Sequence, residues 1–229
     1  MIPKEDDTVK PKFNMTKEQN VFVAKRNIVD YIFKSAKLEG LSVTFPQTET
    51  VVNHGYVAEG MDLDSVLTIN NLKNAWKFLL DFETLDIPVD ITYLNHINKL
   101  IGDGNLIYGA GKFRTMPVTI RGTVYIPEMP DAEKISRKLG ELQEIENPTE
   151  RAIETMLYLM RGQFFIDGNK RTAMLVANKE MIRNGHGIIS IPVELLPRFF
   201  EELVHFYETE EIASIKTFIY ENCIDGLKF

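Results

Sequence analysis

The chain has 229 residues, of which 44% are hydrophobic, 10% aromatic and 26% charged, the composition of an ordinary globular domain, which excludes intrinsic disorder for most of it. A formal net charge of −7, from 33 acidic against 26 basic residues, argues against general electrostatic attraction to nucleic acid or to an anionic membrane surface. Cys223 is the lone cysteine, so an internal disulfide and a cysteine-cluster zinc site are excluded; no apolar run reaches the roughly 20 residues of a membrane span, Met1–Val21 is polar rather than a signal peptide, and the expected location is the cytoplasm.

Residues 1–20 contain Pro3, Pro11 and six charges up to Lys12; they lack periodicity and are expected to form a flexible arm. From Val21, the spacing of Val23, Ile28, Tyr31, Ile32 and Phe33 predicts one amphipathic helix that Gly40 terminates as a C-cap, within an N-terminal helical region of residues 21–60. The main domain is set at 61–229. In it, apolar positions three or four apart predict helices over Ser65–Leu85 and Ile91–Ile101. Between Pro117 and Pro127, Val118, Ile120, Val124 and Ile126 alternate about Arg121-Gly122, which predicts a short β-hairpin, although either pair of apolar side chains would serve equally as ordinary core contacts.

Asp131 reads as the N-cap of a helix carrying Ile135, Leu139, Leu142 and Ile145, and Asn147-Pro148 opens another through Met160. A helix from about Arg171 to the Asn184-Gly185 stop, one over Val193–Tyr207 and one over Ile212–Cys223 complete the pattern. No internal repeat is present. The expected class is all-α: a helical bundle with one small hairpin.

The segment Gln163-Phe164-Phe165-Ile166-Asp167-Gly168-Asn169-Lys170-Arg171-Thr172 lies between two predicted helices. Gly168 permits a bend that turns successive N–H groups toward one point, and the following helix contributes its unpaired amides and positive dipole end. Lys170 and Arg171 add positive charge there, and Asp167 is a hard oxygen ligand able to hold Mg²⁺ against phosphate. By composition alone the same residues also suit a plain surface turn.

The segment resembles the signature of the Fic family (filamentation induced by cAMP), His-x-Phe-x-Asp/Glu-Gly-Asn-Gly/Lys-Arg, which Phe165, Asp167, Gly168, Asn169, Lys170 and Arg171 match. Gly111-Lys112-Phe113-Arg114 with Val118–Pro127 is similar to the family's flap hairpin, so the likeness covers roughly Val21 to Ile224 and makes 61–229 the Fic domain. The resemblance implies an α-helical fold and transfer of AMP from ATP to a Ser, Thr or Tyr hydroxyl of a target protein or of the chain itself. It further implies that Asp167 binds Mg²⁺, that Gly168, Asn169, Lys170 and Arg171 hold the ATP phosphates, and that Val118, Thr119, Ile120, Arg121 and Gly122 of the flap align the target as an added strand. Ser35-Ala36-Lys37-Leu38-Glu39-Gly40 resembles the family's inhibitory motif, in which Ser35 and Glu39 share a helix face. Homodimers are also implied; nucleic-acid and membrane partners are not.

Two positions depart from the pattern. Gln163 stands where the family has its catalytic histidine, and none of His54, His96, His186 and His205 lies within the motif. An amide has no usable basicity, and loss of general-base help costs about 10²–10⁴ in rate. An engineered inactivating change, a naturally degenerate nucleotide binder and a chemistry using another base remain open. Met174 occupies the place of a frequent second arginine, so Glu39 lacks its usual partner and is expected to turn to Arg171 or to inhibit weakly, unless it is simply solvated. Lys170 is similar to the Doc branch, which implies γ-phosphoryl transfer as the alternative reaction; a non-catalytic nucleotide- or partner-binding module is the alternative class.

Overall fold

A computed structural model describes residues 10–228. The helices are α1 (Lys17–Arg26), α2 (Ile28–Leu38), α3 (Phe45–His54), α4 (Leu63–Leu79), α5 (Phe82–Leu85), α6 (Ile91–Ile101), α7 (Ala132–Gln143), α8 (Pro148–Gly162), α9 (Asn169–Arg183), α10 (Leu196–Thr209) and α11 (Ala213–Asn222). Among the described residues the one sheet pairs β1 (Ile188–Ile189) antiparallel with β2 (Ile224–Asp225), Ile188 opposite Asp225. The all-α expectation holds. No helix among these residues is long and apolar enough to cross a membrane.

Helix α9 runs through the centre of the bundle. Apart from Lys170, its residues from Asn169 to Ile182 are buried, and it packs against α8, α6, α4, α5, α1 and β1. A helix enclosed on all sides must satisfy its polar residues internally. Asn178 does so by exchanging bonds with Ile189 (Nδ2 to O, 2.8 Å; Oδ1 from N, 2.6 Å), and Glu180 pairs with Arg151.

The structure corrects several expectations. Residues 1–9 lie outside the described residues, but 10–20 are not a free arm: Thr16 and Gln19 form a reciprocal capping box that starts α1, Met15 N–H bonds the Gly185 carbonyl at 2.9 Å, and Asn20 is buried. The Thr-x-x-Gln signal was local and legible. The single helix expected from Val21 is broken at Asn27, whose side chain reaches Tyr31 and Asp225 (both 3.4 Å). Its terminus stands as expected, with Gly40 left-handed (φ +81°) and Gly40 and Leu41 N–H groups bonding the Lys37 and Ala36 carbonyls. The Ser65–Leu85 segment divides into α4 and α5 at Leu80-Asp81, where Asp81 caps Glu83 N–H. Helix α3 was not anticipated, although Thr44-Phe45-Pro46-Gln47 carries both a capping box and a first-turn proline.

The expected hairpin is a flap without a ladder. Arg121-Gly122 do form its turn, with Gly122 at φ +86°. Its outgoing limb turns Val118 and Ile120 partly inward, but its return limb turns Thr123 and Tyr125 inward and leaves Val124 (87%) and Ile126 (66%) exposed. No backbone bond links the two limbs; Val124 N–H instead donates to the Glu208 carboxylate (3.2 Å) and Tyr125 N–H to Thr123 Oγ1 (3.1 Å).

Candidate active site

Helix α8 begins where expected, with Asn147 Oδ1 accepting from Thr149 and Glu150 N–H groups and Pro148 in the first turn. It ends at Gln163, which is left-handed (φ +45°, ψ 52°), a conformation that costs a non-glycine residue roughly 1–2 kcal/mol. Five residues later Gly168, at φ +77°, turns the chain into α9; a Cβ there would stand 2.7 Å from Ile101 Cδ1 and 3.0 Å from Ile107 Cδ1. Positive φ and close packing both select glycine.

Asn98 of α6 holds the loop from beneath. Fully buried, it donates to Asp167 O (3.0 Å) and Thr172 Oγ1 (3.3 Å) and accepts from Gly111 N (2.8 Å). Sequence reasoning missed it, although a lone amide among the apolar positions Leu94, Ile97 and Ile101 was a visible signal. Asn169 braces the loop internally: Oδ1 accepts from Phe165 N (3.0 Å), and Nδ2 donates to Phe165 O (2.9 Å) and Gln163 Oε1 (3.1 Å). Its side chain is thus engaged with the loop rather than held outward for phosphate.

Gln163 is equally occupied. Its Nε2 donates to Met160 O (2.6 Å), and its amide lies beside the Tyr207 hydroxyl. Burial drives the Tyr207 pKa well above the usual phenol value, with the Gln163 amide a partial offset and the nearby Glu39 charge acting in the same direction as burial. Tyr207, on α10, is a second residue that sequence reasoning did not bring to the site.

The charged groups lie close together. Arg171 Nε stands 3.6 Å from Glu39 Oε2, Lys170 Nζ 3.7 Å from Glu39 Oε1, and Arg171 Nη2 3.5 Å from Asp167 Oδ1. Glu39 Oε1 and Arg171 Nε are buried without a hydrogen-bond partner. No side chain caps α9, which leaves its first-turn amides facing the same charges. The Asp167 side chain is 60% exposed, and its contacts with Gly168 N–H and Arg171 use Oδ1 alone. Ser35 enters through its carbonyl, which accepts the Glu39 N–H at 3.3 Å. Met174 is buried; Glu39 stands near Arg171, the residue to which it was expected to turn, and also near Lys170, which was not expected.

The flap residues Val118, Thr119 and Ile120 have no backbone hydrogen bond to the rest of the described protein. A cavity of about 680 Å³ lies behind the flap against α7, α8 and α10, lined by Tyr125, Tyr158, Phe164 and Phe206; it does not include Asp167 or Arg171. An uncapped helix end, two cations and a half-free carboxylate suit a phosphate-bearing ligand and a hard cation.

Residues 88–181 match the family model described as Fic/DOC family. The chain is 28% identical over 181 residues to the protein adenylyltransferase fic-1 of Caenorhabditis elegans, covering 76% of this chain and 35% of that protein. It is 25% identical over 204 residues to the protein adenylyltransferase Fic of Drosophila melanogaster, covering 85% and 40%. The chain therefore spans well under half the length of these relatives. Among solved structures, Fic-1 residues 134–508 from C. elegans superpose with a TM-score of 0.70 at 20% identity, covering 89% of this chain and 62% of that one. A Fic domain containing signaling protein from Bacteroides thetaiotaomicron gives 0.73 at 18% identity, covering 90% and 85%. The stretch that matches the family model carries the Asp167–Arg171 loop between α8 and α9, and the fold is that of the solved Fic-domain structures, so this stretch of the chain is similar to the Fic/DOC family.

Proposed function

We propose that the chain is a protein adenylyltransferase whose turnover is impaired at Gln163. The observation that carries this reading is the joint placement of the uncapped α9 N-terminus, Lys170, Arg171 and the Asp167 carboxylate around one point. In it, the α9 amides and Gly168 receive the ATP phosphates, and Arg171 and Lys170 balance the charge of the terminal ones. Asp167 Oδ2 fits Mg²⁺, which is commonly held by one or two carboxylates plus phosphate oxygens and water. When bound, Mg²⁺ would neutralise phosphate charge.

In the reaction, a Ser, Thr or Tyr hydroxyl oxygen of the target, or of the chain itself, bonds to the α-phosphorus as the bond to pyrophosphate breaks. The hydroxyl proton needs an acceptor. Gln163 offers none, because its amide is not basic and both its ends are already hydrogen-bonded. The free backbone of Val118–Ile120 supports docking of the target as an added strand. Glu39, turned onto Arg171 and Lys170, competes with the phosphates for both cations, and so acts as the inhibitory residue. The reading includes a cytoplasmic location, in keeping with a single, buried cysteine, and self-association as a homodimer.

The test is radiolabelled ATP with Mg²⁺ on the native chain and on Gln163→His. Measurable ATP binding by both, with labelling rising about 10²–10⁴-fold on restoration of histidine, supports the proposal. Absence of nucleotide affinity, or rapid labelling by the native chain, overturns it. Binding with continued silence after restoration favours a non-catalytic module. Lys170, where many family members carry glycine, is the observation behind the second reading, γ-phosphoryl transfer, which would place label from γ-³²P rather than α-³²P on the target.

A further inference from the structure

The flap from Met116 to Glu128 has no ladder of its own, yet it sits in one place beside the motif loop. The residue that joins them is Arg114. It is 3% exposed, and among the described residues no carboxylate pairs with it; its charge is met by backbone carbonyls and one thioether. Nε donates to Gln163 O (2.7 Å), Nη1 to Met116 O (2.9 Å) and Met129 Sδ (3.1 Å), and Nη2 to Pro127 O (3.3 Å) and Glu128 O. Its own N–H donates to Phe164 O (2.9 Å).

One planar group thus touches the first residue of the flap, its last two and the motif loop at the carbonyl of left-handed Gln163. The far limb has a separate hold, Glu208 accepting from Thr123 Oγ1 (2.7 Å) and Val124 N. The near limb, Val118–Ile120, has no hydrogen bond to the rest of the described protein and is held through the packing of Ile120 on the core. The hydrogen bonds that join flap and loop therefore converge on Arg114.

We infer that Arg114 is a positioning residue that fixes the flap relative to the motif loop, and that, on the adenylyltransferase reading above, it governs target docking and not nucleotide binding. The geometry is specific to a guanidinium. Five donors in a rigid fork reach acceptors on three sides, whereas a lysine ammonium presents three donors at one point and leaves buried carbonyls unpaired.

The test uses the full chain with nitroxide labels on Val124→Cys at the exposed flap and Thr92→Cys on the exposed face of α6; Cys223 is buried and stays unlabelled. The native Arg114 background is expected to give one narrow spin–spin distance distribution, and Arg114→Lys and Arg114→Gln broad or shifted ones, with helix content retained. An unchanged distribution overturns the inference. So does loss of helical circular dichroism in both variants, since Arg114 would then maintain the fold as a whole. In the Gln163→His background, Arg114→Lys is expected to raise KM for the target about tenfold or more while kcat and ATP affinity stay within about threefold; an equal loss of ATP affinity overturns the assignment to docking. If Gln163→His labels nothing with Arg114 intact, the adenylyltransferase reading fails, and the distance measurement still decides whether Arg114 sets the flap.

Discussion

Glu39 Oε2 and Arg171 Nε stand 3.6 Å apart, beyond hydrogen-bond reach, and Arg171 Nε has no hydrogen-bond partner at all. The pair is charge-matched but not hydrogen-bonded. Glu39→Ala is expected to raise ATP affinity roughly tenfold, a change of about 1.4 kcal/mol, because a carboxylate no longer opposes the phosphates. The same change leaves buried positive charge less compensated and lowers apo stability by about 3–5 kcal/mol. Calorimetric titration and thermal melts with and without ATP check both; unchanged affinity sinks the inhibitory role.

Gly168→Ala combines an unfavourable φ of +77° with a methyl 2.7 Å from Ile101 Cδ1. A loss of about 1–3 kcal/mol is expected in denaturant melts, with weaker ATP binding because the α9 amides are re-aimed. Adding Ile101→Val would relieve the contact but not the backbone, so only part of the stability should return.

Asn98→Leu removes three bonds that tie α6 to the motif loop and to Gly111. Buried partners left unpaired cost about 1–3 kcal/mol each. Stability is expected to fall by at least that amount, and ATP affinity with it. A variant that melts early yet binds ATP normally would show that Asn98 serves the fold alone.

Lys179 is buried with its Nζ 5.3 Å from the Tyr93 ring centroid and, among the described residues, no carboxylate in bridging range, and burial pushes its pKa down to about 8. The folded state then binds fewer protons than the unfolded state between about pH 8 and the ordinary lysine value near 10.4, so this group makes stability rise with pH across that window, while below it the full penalty persists. Lys179→Met is expected to stabilise the protein by about 1–3 kcal/mol at pH 7 and to flatten the alkaline rise. Urea melts at pH 7 and pH 10 decide it.

Burial raises the Cys223 thiol to about 12. Native protein at pH 8 should therefore resist iodoacetamide and react only on unfolding; rapid native alkylation would contradict the burial of α11's C-cap.

The amino-acid order alone specified what short-range physics specifies. Helix α6 emerged from apolar spacing at its observed bounds, α7 and α8 from Asp131 and Asn147-Pro148 as caps, and the α2 terminus from Gly40, since each depends on residues within a turn or two. The motif was readable for the same reason, being ten contiguous residues. Tertiary structure decided the rest. Asn27 interrupts the first helix through a partner 198 positions away, Asp225; β1 exists only because β2 returns to it; and the flap's return limb bonds Glu208 in place of its own other limb. Glu39 could be matched to Arg171 on paper, but their separation, the engagement of Asn169 within the loop and the gathering of flap and motif by Arg114 follow from how distant elements close around α9. Long-range contacts settle which of several locally acceptable arrangements survives, because only they determine which polar groups are buried and which partners remain to satisfy them.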